Sequence, residues 1–91
     1  MSPTQAGSRW PDWWEWGLEF TPHLEKRMED RDFTEIELRE MLTHARSYQP
    51  DVVEGRWVIE TFHRGHGWQV IVEPDEVEYL LVVVTAYPVE A

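Results

Sequence analysis

His23, Arg27 and Arg31 follow one another at intervals of four in the stretch TPHLEKRMEDR. On an α-helix that interval advances about 400°, so the three drift only about 40° per step and share a face. A histidine with two guanidinium groups offers a proton shuttle and a bidentate clamp for phosphate. Metal-independent RNA cleavage needs those parts: a base for the 2′-hydroxyl proton, an acid for the leaving oxygen, and cations for the phosphorane. The same residues admit a plainer account. Lys26 and Arg27 stand at ion-pair spacing from Asp30, and Arg31 near a helix C-terminus suits the macrodipole.

Further along, His63, Arg64 and His66 cluster between two strand-like runs, with Arg56 upstream on the first of them. Together they form either a second basic wall facing the helix or a solvated hairpin tip. His63, at a strand end, is the better site candidate of the group. His63-x-x-His66 has the look of a metal pair, but no third ligand stands at a suitable spacing, so no metal or other cofactor is expected. Arg56 follows Gly55, either reaching a substrate or making a cross-strand pair with a carboxylate. Thr85 and Tyr87 alternate with Val84 and Ala86 and so share one sheet face. Tyr87 either orients a phosphate or donates a proton, or else its hydroxyl satisfies a buried polar end. Four of the six tryptophans fall in WPDWWEW. Trp14 and Trp16 suit the core, which leaves Trp10 and Trp13 for nucleobases, a partner or a dimer mate. The interleaved Asp12 and Glu15 favour a protein contact over bases.

The elements that must position these residues are legible in outline. In WWEWGLEF, Trp14, Trp16, Leu18 and Phe20 alternate with polar or small residues, which predicts a half-buried strand. Thr21-Pro22 opens a helix, carrying Leu24 and Met28 inward and ending near Asp32. Thr34 and Glu37 form a capping box, with Phe33 and Leu38 as hydrophobic staple, for a second helix reaching about residue 46. Ser47 to Asp51 then ends it. Strand-like runs cover 52–63, 68–74 and 78–89, and their short connections require antiparallel neighbours. The expected fold is α+β, in the order β-α-α-β-β-β, with both helices on one face of a small antiparallel sheet. Residues 1–11 read as a flexible leader and 12–91 as a single domain.

Composition narrows the partners. The chain of 91 residues carries 18 acidic against 8 basic residues, for a formal charge of −10. Nucleic-acid binders in general draw their affinity from phosphate neutralisation, so a broad RNA surface is excluded and any anion site must be local. The region 67–91 has no Lys or Arg at all, which places such a site in the first two thirds. There is no cysteine, no signal-like segment and no apolar run long enough for a membrane, so a cytoplasmic location is expected.

A helix with His-x-x-x-Arg-Met-x-x-Arg, a Phe-Thr-Glu helix start, a Gly-Arg strand and a closing Val-Val-Thr-Ala-Tyr occur here in that order. In these features the chain resembles domain-of-unknown-function family 4258, related to the BrnT and RelE toxin-like proteins, over residues 21–88. The resemblance implies a RelE-like fold and a metal-independent endoribonuclease of toxin–antitoxin modules. His23, Arg27, Arg31, Arg56, Thr85 and Tyr87 match its pattern. Two expectations follow. In the first, His23, Arg27, Arg31, His63 and Tyr87 are catalytic on RNA, and Arg56, Thr85 and Arg64 bind substrate. In the second, the protein is a non-catalytic binding or regulatory module. It would contact an antitoxin-like or basic protein, or a second copy as a homodimer, through exposed Trp10 and Trp13 and its acidic surface.

Overall fold

The computed structural model describes residues 10–89. A 3₁₀ turn at Asp12–Glu15 leads into strand β1 (Gly17–Phe20), helix α1 (Pro22–Arg31) and helix α2 (Glu35–Thr43). Strands β2 (Ser47–Pro50), β3 (Trp57–His63), β4 (His66–Asp75) and β5 (Leu80–Pro88) follow. They form one mixed sheet in the order β1-β5-β4-β3-β2, in which β2 to β5 are an antiparallel meander and β1 lies parallel to β5. The architecture is a small α+β fold of two helices and five strands.

Both helices begin as their residue types dictate. The Thr21 hydroxyl accepts the Leu24 amide at 3.0 Å with Pro22 at the first helical position. Asp32 closes α1 in the left-handed region, φ 56°. Thr34 and Glu37 form the complete capping box of α2. Leu24, Leu38, Met41 and Leu42 point from the helices into a core completed by Ile59, Val70, Val72, Leu81 and Val83. Each such side chain stabilises the fold by roughly 1.5–3 kcal/mol relative to exposure. Thr61 is buried among them, and its hydroxyl donates to the Met41 carbonyl, tying β3 to α2.

Several expectations need correction. WWEWGLEF is not one strand: the strand is only Gly17–Phe20, because Trp13 turns inward against Tyr48 and Trp57 and curls residues 12–15 into a 3₁₀ turn. The second helix stops at Thr43, short of residue 46. Ser47–Pro50, expected only to end that helix, is an edge strand against β3. The run 52–63 begins as a turn, closed by the Asp51 amide on the Arg56 carbonyl, so β3 starts at Trp57. The sheet therefore has one strand more than the expected β-α-α-β-β-β, and it is mixed where an antiparallel sheet was expected, because β1 lies parallel to β5. The first hairpin is tighter than expected, with Arg64 and Gly65, both at positive φ, alone between His63 and His66. Of the expected leader, residues 1–9 lie outside the described residues, while Trp10 packs on the core and joins the domain.

One irregularity decides which face the late residues occupy. The β4–β5 register shifts between Ile71 and Val72, so Val84 is bulged out of the pairing. Leu81 and Val83 point to the helices before the bulge and Ala86 after it. Thr85 and Tyr87 consequently point to the opposite, helix-free face.

Candidate functional site

The expected catalytic residues do not converge. His23 is exposed on the first turn of α1. Arg27 sits 3.5 Å from Asp30 on the same helix. Arg31 has a structural task, because β1 pairs with β5 only up to Val83 and leaves the later carbonyls of that edge open. Two of these are closed by side chains: the Thr21 hydroxyl donates to Val84 O at 2.9 Å, and the Arg31 guanidinium donates to Ala86 O at 3.2 Å. Tyr87 lies across the sheet from α1, its hydroxyl donating to Gln69 Oε1 at 2.8 Å. The Gln69 amide in turn donates to Glu60 at 2.8 Å, so these three residues form a cross-strand polar row on the helix-free face. Thr85 sits on that face as well. Arg56 makes the cross-strand pair, 3.0 Å to Glu73.

His63 and Arg64 do come together, and with a residue that the sequence marked only as a helix cap. The Glu37 carboxylate accepts the Thr34 amide at 2.9 Å and Arg64 Nη2 at 2.8 Å. It lies 3.9 Å from His63 Nε2. The Thr34 backbone hydrogen bond and then the Arg64 contact hold the Glu37 carboxyl below its ordinary value, against a smaller opposing effect of desolvation. The His63 ring stands edge-on to Trp68, and its Nε2 is buried without a hydrogen-bond partner among the described residues. His66, also expected in this cluster, is exposed at the hairpin end. Glu37 stands 26 positions before His63 in the chain, and nothing local in the sequence links the two.

Trp10 and Trp13 are not left over from the core. Trp13 is buried, which corrects the expectation that it is left over from the core; Tyr48 and Trp57 close around it. Trp10 is stacked on Trp14 with centroids 4.5 Å apart and packs on the core. Exposed apolar residues stand elsewhere: Ile36 on α2, Phe62 and Val89 near the His63–His66 hairpin, and four in the turns at the other end of the sheet. Val52 is 98% and Val53 46% exposed in the β2–β3 turn, and Val77 is 82% and Tyr79 66% exposed in the β4–β5 turn. The register puts both turns at one end of the sheet, opposite the His63–His66 hairpin. Asp51, Glu54, Asp75, Glu76 and Glu78 are interleaved with them. Beside these turns a hollow of about 410 Å³ has Val82 and Val84 on its lining, with Glu73, Asp75, Glu76 and Arg56 around it.

Among the described residues no group of three His, Cys, Asp or Glu is placed to hold a metal ion, and no helix is long and apolar enough to cross a membrane. Comparison with protein-family models, curated proteins and solved structures finds no match to this chain in any of the three.

Proposed function

We propose that this chain is a non-catalytic binding module, on a RelE-like arrangement of helices and sheet, that holds a cationic segment of a protein partner at its acidic turn end. The observation that carries this reading is the exposure of Val52, Val53, Val77 and Tyr79 together at one end of the sheet, set among carboxylates. Exposed aliphatic tips at this density mark a contact surface, and the surrounding charge selects the sign of what docks. A lysine or arginine stem fits the Val82–Val84 lining of the adjacent hollow, with its head toward Glu73, Asp75 and Glu76. The pairing of Arg27, Arg56 and Arg64 with carboxylates of the same chain supports it further, because those cations are not held in reserve for RNA phosphate.

Calorimetric titration with a lysine-rich peptide carrying two leucines tests it. Binding is expected to weaken roughly ten-fold as salt rises from low to physiological levels. The paired substitution Val52→Asp/Val77→Asp is expected to abolish it. Salt-independent binding, or full affinity in the double variant, overturns the reading.

The second reading is the metal-independent ribonuclease that the family resemblance implies. One observation favours it: His63, with its unpartnered Nε2, stands beside Glu37 and Arg64 in the arrangement of an acid–base group with a cation. It requires metal-free cleavage of RNA that His63→Ala removes. Intact RNA after prolonged incubation with the folded wild type eliminates it.

A further inference from the structure

Between β1 and α2 lies a hollow of about 220 Å³ lined by Trp14, Trp16, Leu18, Leu42, Leu81 and Arg39. Thr43 also lines it, but its hydroxyl donates to the Arg39 carbonyl at 2.9 Å. Arg39 is the charged donor on the lining. Its guanidinium lies 6.0 Å from the Phe20 ring centroid, and its Nε and Nη2 lie 3.0 and 2.9 Å from a single oxygen, Glu35 Oε2. Glu35 thus occupies one edge of the fork. Nη1 has no partner among the described residues. Both side chains of the pair are 52% exposed, and an ion pair so exposed is readily shared with a competing anion.

We propose that this hollow binds a small carboxylate with a compact, single-ring apolar body. Indole faces and leucine methyls accept a ring, and a planar guanidinium matches a carboxylate with two parallel hydrogen bonds. A lining that joins rings and aliphatic side chains to one charged group is what small-molecule recognition uses. A volume of about 220 Å³ matches a single ring rather than a polycyclic body. Charge excludes a phosphate dianion, because Glu35 stands beside the guanidinium in a chain of formal charge −10, and repulsion grows with each charge on the ligand. The hollow is distinct from the one beside the acidic turns, although the Trp16 ring that lines it packs edge-on against Tyr79, and it gives Trp14 and Trp16 a role beyond filling the core.

Nuclear magnetic resonance titration of the ¹⁵N-labelled full chain with phenylacetate tests the assignment through the indole N–H signals of Trp14 and Trp16. Saturable shifts are expected, with Kd at or below about 1 mM for so small a ligand. Acetate, which lacks the ring, and phenylacetamide, which lacks the charge, should each bind at least about five-fold more weakly. Arg39→Gln should reduce phenylacetate to the amide's level, and Glu35→Gln, which frees the second edge of the fork, should tighten it about two- to five-fold. Non-saturating shifts, equal response to acetate, unchanged affinity in Arg39→Gln, or silent Trp14 and Trp16 signals would each overturn the proposal.

Discussion

Glu37 does two things at once. It closes the α2 capping box through Thr34, and it gathers Arg64 and His63 at the hairpin end. Its carboxyl is held below 4.5 by those contacts, so the charged form belongs to the folded state. A depressed folded value means that the stabilisation is fully present above the unfolded value and disappears as pH falls through the lower, folded one. Thermal unfolding of wild type and Glu37→Gln should therefore differ most at neutral pH and converge below pH 4.5. Arg31 makes a parallel case. Its guanidinium seals the Ala86 carbonyl, so Arg31→Ala should cost about 1 kcal/mol in urea unfolding. The site expected at His23, Arg27 and Arg31 was legible as a shared helical face, and that geometry is present. What was not legible is that the face abuts an unpaired stretch of β5, where a guanidinium caps the backbone instead of waiting for phosphate.

At the scale of elements, local chemistry was readable and long-range packing was not. The caps at Thr21 and Thr34 depend on neighbours three residues away, and both occur as the sequence implies. Thr21 also reaches Val84, 63 residues on, so Thr21→Val should remove both bonds and destabilise the fold by about 1–3 kcal/mol. Asp32 holds φ 56° at the end of α1, where glycine carries no Cβ penalty. Asp32→Gly should accordingly leave stability unchanged or raise it by up to about 1 kcal/mol, measured by the same unfolding. By contrast, Ser47–Pro50 has no alternation and ends in proline, so it reads as a breaker. It becomes a strand because β3 offers it an edge. The 3₁₀ turn at Asp12–Glu15 is likewise set by Tyr48 and Trp57, far along the chain, against a period of two that favours extension. The bulge at Val84 turned Tyr87 away from the helices, and no residue type near it announces that shift.

Over the whole molecule, the two ends of the sheet differ in chemistry. One carries the His63–Arg64 hairpin against Glu37, with Phe62 and Val89 beside it; the other carries Val52, Val53, Val77 and Tyr79 among carboxylates. Composition implied a local rather than a broad cationic surface. It did not foretell that Trp13 would be buried while Val52 and Val77 stand in solvent. The measurement that decides between the ends is an amide chemical-shift map of the ¹⁵N-labelled chain on adding the lysine-rich peptide. Shifts concentrated at residues 51–56 and 75–80, with Glu37, His63 and Arg64 unmoved, are the predicted result. Shifts centred on Glu37, His63 and Arg64, or none at all, would contradict it.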